Sequence, residues 1–368
     1  MRAFLLLVVA AFPSMPMISA AAAQQLPRMT RQIVLARADS GYRWELVSAP
    51  VPPIGEHDVL VKVHAVSLNH PDLDLLAPAA SSRNRDPVGL VAGSDAAGEV
   101  IATGADVKGI RKGQRVTNTF FQDWTDGPFS QTSLASVYGW TINGVFSEYV
   151  VLADTSVVPI PAELSDEEAA TLPTSAVTAW SALTKGRALK RGDVVLVQGT
   201  GGVSTFALQF AAEMGAHVIV TSSSDEKLVR ARELGARDVI NYRSMPQWAD
   251  RARRITHSRG VDLVVDVGGK ATLGQSVEAL ADSGLVSIVG GLTGYDGQIP
   301  AYGLLMRSAG AQAVFVGSRA AFIRMNGFIH AHRIRPVVDR VFPLEQYQEA
   351  LDYFRAGNFV GKIVIRFP

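Results

Sequence analysis

The sequence predicts an α/β chain in which a β-rich domain is interrupted by a doubly wound parallel sheet. Three observations carry that prediction. Residues 193–241 read as strand, glycine turn, helix, strand, polar turn, helix, strand. The same rhythm continues to about residue 316, with glycines directly after the strands. Before it, residues 32–152 carry short apolar runs separated by Gly, Pro and Asp turns, and after residue 319 the pattern changes again. A chain of 368 residues, 48% of them hydrophobic, is long enough for two domains with real cores.

Residues 1–28 read as a signal peptide or other leader. Arg2 is a minimal positive n-region, Phe4–Phe12 is an apolar h-region, and Ala21–Ala23 before Gln24 resembles a small-residue cleavage site. Met29 opens the run Met-Thr-Arg-Gln-Ile-Val-Leu, a natural start for a cytosolic chain. The first reading exports the protein, periplasmic or secreted; the second keeps it cytoplasmic. From Gln32 the strand candidates are Val59–Val66, Gly98–Thr103, Arg115–Thr119 and Gly144–Leu152. Residues 77–90 form a polar, Pro-bearing loop. Residues 120–145 are irregular and carry Phe120, Phe121, Trp124, Phe129, Tyr138 and Trp140. Such a loop either packs on its own aromatics or lines a substrate pocket. Ser165 is expected to cap a helix whose first turn holds Asp166, Glu167 and Glu168. A helix near Ser175–Leu183 leads into the central stretch.

Val194–Val197 is the right length for a buried parallel strand. Gly199, Gly201 and Gly202 follow at once. Val203, Phe206, Ala207, Phe210 and Met214 then recur at helical spacing, Gly215 stops the helix, and His217–Thr221 makes the next strand. Backbone N–H groups and a helix N-terminus in this context face a pyrophosphate, which marks a dinucleotide-binding turn. Ser204 stands where a third Gly or Ala is usual, and is small enough to serve. An NAD site places Asp or Glu about 20 residues past the glycines to hold the ribose 2′-OH. Here the chain reads Thr221-Ser222-Ser223-Ser224, whose hydroxyls leave room for a 2′-phosphate and donate to it. Lys227 adds charge, and Asp225 is read as the cap of the next helix. NADP(H) is therefore favoured over NAD(H).

The rhythm continues with a strand over Val261–Val267 before Gly268-Gly269, a helix over Thr272–Leu280, and a strand over Leu285–Val289 before Gly290-Gly291. Ala313–Val316 is the sixth strand. Both glycine pairs fall at carboxyl ends of strands, where ligands of such sheets lie. The tail reads as a helix over Arg319–His332, a strand over Val337–Val341, a helix over Leu344–Ala356 and a strand over Lys362–Arg366, expected to rejoin the first domain.

Composition removes several alternatives. The net charge is +1 with both signs mixed along the chain, so neither a nucleic-acid stripe nor a polybasic membrane patch is present. There are no cysteines, which excludes disulfides, thiolate zinc sites, iron–sulfur clusters and cysteine nucleophiles. The partners expected are a small-molecule substrate and, by analogy, a second copy in a homodimer; neither nucleic acid nor a stable membrane span is expected.

Seven stretches together resemble one family: residues 65–76 (AVSLNHPDLDLL), 93–100 (GSDAAGEV), 144–152 (GVFSEYVVL), 172–183 (LPTSAVTAWSAL), the glycine turn, 264–269 (VVDVGG) and 360–365 (VGKIVI). In order and spacing they are similar to the medium-chain dehydrogenase/reductase superfamily, and most of all to its zinc-independent, quinone oxidoreductase-like branch. The resemblance implies a GroES-like β-rich catalytic domain (29–153, completed by 319–368) around a Rossmann NADP-binding domain (154–318), with the cofactor between them. Zinc-dependent relatives carry a Cys about where Ser67 and Leu68 fall, and Gly-His-Glu about where Gly93-Ser94-Asp95 stands. A catalytic zinc needs three protein ligands, and Asp95 alone supplies one, so no zinc is expected.

The resemblance also assigns residues. Asn69 matches an asparagine placed in the cleft. His70 stands where Tyr is frequent and is either a proton donor or a surface histidine. Asp72 matches an aspartate whose role is catalytic or a loop hydrogen bond. Thr178 matches a nicotinamide contact and Lys362 a lysine near the cleft; Tyr242, which follows the third strand of the sheet, either stacks near the adenosine phosphate or packs. With Gly199, Gly201, Gly202, Val203, Ser222, Ser223, Lys227, Gly268 and Gly290 these complete the expected cofactor site. Hydride transfer without a Lewis acid suits acceptors that delocalise charge themselves, namely quinones and alkenes conjugated to a carbonyl. Two other readings stay open: an NADPH-binding sensor or structural protein with little turnover, and a zinc-free alcohol or carbonyl dehydrogenase acting through His70.

Overall fold

The computed structural model describes residues 26–78 and 86–368. The leader reading rests almost wholly on residues 1–25, and the middle of the 77–90 loop on 79–85, both outside the described residues. Among the described residues no helix is long and apolar enough to cross a membrane.

The chain opens with an antiparallel hairpin, β1 (Met29–Arg37) and β2 (Tyr42–Pro50). Its inward side chains, Ile33, Leu35 and Trp44, enter a core where Trp44 meets Phe146 edge-on at 5.6 Å. Then come β3 (Asp58–Ser67), β4 (Ala96–Thr103), β5 (Arg115–Asn118), β6 (Tyr149–Ala153) and β7 (Val157–Pro159). The parallel sheet uses β8 (Val194–Gln198), β9 (His217–Ser222), β10 (Asp238–Asn241), β11 (Val261–Asp266), β12 (Leu280–Ile288) and β13 (Gly310–Ala313). The chain closes with β14 (Val338–Pro343) and β15 (Lys362–Arg366).

The parallel sheet has the order β10-β9-β8-β11-β12-β13. The order reverses at β8, so the crevice beyond its carboxyl end is the switch point where such sheets bind ligands. Val194–Val197 are buried because helices cover both faces. Phe206 and Phe210 pack on one face, Trp248, Leu273 and Val277 on the other. Each such side chain contributes about 1.5–3 kcal/mol by leaving water. Gly215 sits at φ +83° where the helix Gly202–Glu213 ends, a conformation that favours glycine.

The other sheet runs β14-β15-β3-β4-β5-β7, with β6 also paired to β3. The tail thus returns as expected, and β15 lies antiparallel to β3 with Val364 opposite Ser67. That register sets Lys362 beside Leu68 and Asn69. The helix Arg319–His332 also reaches that sheet, Arg319 Nε donating to the Val157 carbonyl and Asn326 Nδ2 to the Pro159 carbonyl, both at 3.1 Å. Its Phe322, Met325 and Ile329 share a core with Phe206 and Phe210.

Several expectations need correction. The sixth strand ends at Ala313, since Phe315 turns into an aromatic cluster and Val316 sits at φ +54°, which a strand does not allow. The 175–183 helix is a π-helical turn over Leu172–Ala176 followed by an α-helix over Val177–Thr184. The 344–356 helix begins as a 3-10 turn and is α-helical over Tyr347–Ala356. Ser165 does cap its helix, accepting from the Glu168 N–H at 3.2 Å. Asp225 does not cap the next one. Ser224 does, accepting from the Lys227 N–H, while Asp225 accepts from Asn241 Nδ2 at 2.7 Å.

Candidate active site

The cofactor edge starts at the end of β8. The Gly199 N–H donates to the Thr221 carbonyl at 2.7 Å, which joins the turn to β9. Gly201 precedes the helix Gly202–Glu213, and no side chain caps that helix, leaving its first amides for an anion. A Cβ on Gly201 would meet nothing within 4 Å, so space is open there. A Cβ on Gly202 would stand 2.5 Å from Lys362 Cδ and 2.7 Å from Ser175 Oγ. This glycine is demanded by the seam between the two sheets. At that seam the Gly361 N–H donates to the Thr200 carbonyl at 2.9 Å. Ser204, in the unusual third position, is buried and donates to the Gln198 carbonyl at 2.7 Å. Its hydroxyl replaces close packing with a hydrogen bond.

Further along the edge, Ser222 is buried, Ser223 is half-buried and Tyr242 is exposed. Lys227 Nζ donates to the Gly357 carbonyl at 2.5 Å, crossing to the tail segment, and burial lowers its pKa. It lines a groove of about 480 Å³ with Arg230, Asp339, Asn358 and Val360. Thr178 is buried, and its hydroxyl donates to the Thr174 carbonyl of its own helix at 2.6 Å. Val203 is half-buried. Gly268 and Gly290 follow β11 and β12 as anticipated. Amides at a helix start, open space and hydroxyls after β9 fit a dinucleotide.

Where the sheets meet lies a buried polar cluster. Lys362 Nζ donates to the Leu68 carbonyl and to Asn69 Oδ1, the latter at 2.5 Å, and stands 4.0 Å from Asp95 Oδ2. Lys362 and Asp95 are 4% and 0% exposed. Asp95 also accepts from Thr174 Oγ1 at 2.5 Å and Ser94 Oγ at 3.2 Å. The Lys362 contact turns the Asn69 amide so that Nδ2 reaches Ser94 Oγ at 3.3 Å. Asp72 accepts the Asn69 backbone N–H at 2.7 Å.

Burial governs the charges here. It pushes Lys362 down to about 8, against the pull of Asp95 and Asp72. It pushes Asp72 up to about 7, against the Asn69 N–H, and raises Asp95 despite Lys362. His70 is not in the cluster. Its ring is exposed, with Nε2 3.7 Å from Asp74.

Beside the cluster runs the 120–145 loop. Phe121 meets Trp124, Phe129 and Phe315 at centroid distances of 5.3, 6.0 and 5.5 Å. The loop packs on its own aromatics and on one from beyond β13. Asn118 ties it to the cluster, donating to the Ser94 carbonyl at 2.6 Å.

Comparison with known proteins places this architecture. Residues 55–162 match the alcohol dehydrogenase GroES-like domain and residues 202–331 the zinc-binding dehydrogenase family. The zinc-type alcohol dehydrogenase-like protein C1773.06c of Schizosaccharomyces pombe is 44% identical over 84% of this chain and 90% of its own length. The chain belongs to the medium-chain dehydrogenase/reductase superfamily. Another relative, the mitochondrial NAD(P)H oxidoreductase RTN4IP1 of Danio rerio, is 30% identical over 84% of this chain and 83% of its own. A solved structure from Sinorhizobium meliloti 1021, provisionally described as an alcohol dehydrogenase, superposes with a TM-score of 0.87. It is 39% identical and covers 93% of this chain and 100% of its own.

The family descriptions name zinc, so the donor set matters. Ser67 Oγ is turned to the Ile363 carbonyl at 3.4 Å, Leu68 has no donor side chain, and Asp95 is engaged by Thr174, Ser94 and Lys362. Among the described residues no group of three or more His, Cys, Asp or Glu could hold a metal ion. These side chains do not fit a catalytic zinc.

Sequence reasoning missed the partners of Lys362. The sequence presents Asp95 only as a candidate metal ligand and does not mark Ser94, Thr174 or Ser175. Sequence reasoning also missed Gln198. An amide at the end of an otherwise apolar strand was the available signal, since a buried polar group needs partners.

Proposed function

We propose that this protein is a zinc-independent, NADP(H)-dependent oxidoreductase that delivers hydride to a quinone or to an alkene conjugated to a carbonyl. The observation that carries the reading is the buried Lys362 ammonium. It is held by the Leu68 carbonyl and Asn69 Oδ1 and lies 4.0 Å from Asp95, beside the positions where zinc-dependent relatives place metal ligands.

In this reading the amides of Gly201, Gly202 and Val203 hold the pyrophosphate, and Ser222, Ser223 and Lys227 the 2′-phosphate. Tyr242 flanks the adenosine end. Thr178, Gly268, Gly290 and Lys362 line the nicotinamide half. Bound there, the reduced nicotinamide supplies a hydride. Lys362 donates to the Leu68 carbonyl and Asn69 Oδ1, and Asp95 and Asp72 favour its charged form against burial. It offers a fixed positive charge where oxygen becomes negative. Asn69 is oriented by Lys362 and Ser94, and Asp72 fixes its backbone. The proton that completes the reduction comes from His70 or from water.

The exposed Asp225, held by Asn241, favours a second reading in which the ribose hydroxyls of NAD(H) are bound instead. One assay tests both. Protein starting at Met29 is mixed with NADPH or NADH and a panel of quinones and enals, and absorbance is followed at 340 nm. Consumption of NADPH in preference to NADH is expected. Flat traces despite tight NADPH binding would point to a sensor or structural role.

A further inference from the structure

Three glycine turns make up the cofactor edge, after β8, β11 and β12, and one buried side chain spans the first two. Gln198, the last residue of β8, is 5% exposed. Its Oε1 accepts from the Val267 and Gly268 N–H groups at 3.2 and 3.3 Å. Its Nε2 donates to Asp266 Oδ2 at 3.0 Å and to Ser276 Oγ at 2.8 Å. The amide therefore uses its full donor and acceptor capacity. Asp266, fully buried, also accepts from Ser276 Oγ at 2.5 Å, Thr272 Oγ1 at 2.8 Å and the Gly269 N–H at 2.9 Å. Thr293 joins the third turn to the second, its hydroxyl donating to the Gly268 carbonyl at 2.7 Å and accepting the Ala271 N–H at 2.8 Å.

We infer that Gln198 is a positioning residue for the nicotinamide half of the cofactor, an inference that rests on the NADP(H) reading above. A doubly wound sheet is built of two halves, each taking one mononucleotide. The serine turn after β9 belongs to the adenosine half, so the turns after β11 and β12 face the nicotinamide half. Gln198 touches neither. It fixes the Val267–Gly269 turn, and through Thr293 the turn after β12, relative to the pyrophosphate turn at Gly199–Gly202. A leucine at 198 would fill the strand as Val194–Val197 do, but would leave the Val267 and Gly268 amides without the Gln198 acceptor and take one of four donors from Asp266.

This role separates from general packing in two ways. In Gln198→Leu, NADPH binding weakens about tenfold, while adenosine 2′,5′-bisphosphate, which lacks the nicotinamide half, keeps its affinity within about twofold. Gln198→Glu keeps the shape. One oxygen still accepts from the two amides, but the other donates to Asp266 only when protonated. Its NADP+ affinity, relative to the wild type at each pH, is near normal in acid and falls as pH rises.

Calorimetric titration of the wild type and both variants with NADPH, NADP+ and adenosine 2′,5′-bisphosphate, with Tm measured alongside, tests this. Selective loss of the whole cofactor, together with the pH-dependent loss in Gln198→Glu, is the expected result. Equal loss of both ligands, no loss in Gln198→Leu, or a pH-independent Gln198→Glu would overturn the positioning role. If Gln198→Leu does not fold, the pH series of Gln198→Glu carries the test. A wild type that binds neither ligand overturns the cofactor reading and this inference with it.

Discussion

The two ends of the parallel sheet both hold buried carboxylates beside cations, yet they are arranged in opposite senses. At the amino end, Asp193 is paired with Arg187 at 2.7 Å, and Asp262 with Arg259 at 2.7 Å and Arg187 at 3.2 Å. Asp262 also accepts the Val194 N–H at 2.8 Å. Burial pushes Asp193 up, but Arg187 and the Lys190 N–H outweigh it and hold the carboxyl below its usual range. Beyond the carboxyl end, Asp72 and Asp95 are raised and Lys362 is lowered, each by burial that its partners do not offset. The first end is electrostatically satisfied and reads as stability. The second keeps charges out of balance, which is where reaction chemistry tends to sit.

The largest effect expected is at Lys362. Lys362→Met should lower kcat/KM by about 100-fold or more if its charge stabilises the transition state. It also leaves Asp95 buried without a cation, costing about 3 kcal/mol of stability. Lys362→Met/Asp95→Asn should recover much of that stability, read by denaturant melts, but none of the activity. Recovery of both would reduce Lys362 to a structural ion.

Arg187→Met inverts the pattern. It should cost about 2 kcal/mol, since the pair is partly solvated, and leave kcat/KM within about twofold. A large loss of activity there would break the division between the ends.

The pH dependence of stability sharpens it further. The Asp72 carboxyl, raised to about 7, binds a proton in the folded protein that the unfolded chain has already released above its ordinary value. Its unfavourable contribution therefore grows as pH rises from about 4 to 7. Asp193 behaves oppositely: its stabilisation is full above the ordinary carboxylate value and is lost as pH falls through its lower folded pKa. The Tm of Asp72→Asn relative to wild type should rise between pH 5 and pH 8. Asp193→Asn should be destabilised at both, with the deficit shrinking only in stronger acid.

The smallest effect is expected at the glycine turn. Ser204→Ala removes a single buried hydrogen bond to the Gln198 carbonyl and should cost about 1 kcal/mol with activity unchanged.

What the sequence made legible follows the range of the interaction. The run from Val194 to Asn241 was readable because strand, turn and helix periods are local, and so was the return of Lys362–Arg366 as a strand. The sequence offers Asp225 as the cap of the helix after β9, but Ser224 takes it. The two are adjacent polar residues, and pairing with Asn241 decides between them. The partners of Lys362 lie at Leu68, Asn69 and Asp95, brought together only by the pairing of β15 with β3. No local pattern encodes that. Phe315 likewise reads as strand because its apolar neighbours suit one, whereas aromatics from the 120–145 loop claim it.

In the proposed reading Lys362, in its buried cluster, does the work for which zinc-dependent relatives use a metal. The most direct test is NADPH-dependent quinone or enal reduction by protein stripped with 1,10-phenanthroline and checked for residual zinc by elemental analysis. Undiminished turnover at trace zinc, lowered about 100-fold or more by Lys362→Met, is the predicted result. Turnover that disappears on stripping and returns with one zinc per chain would contradict it.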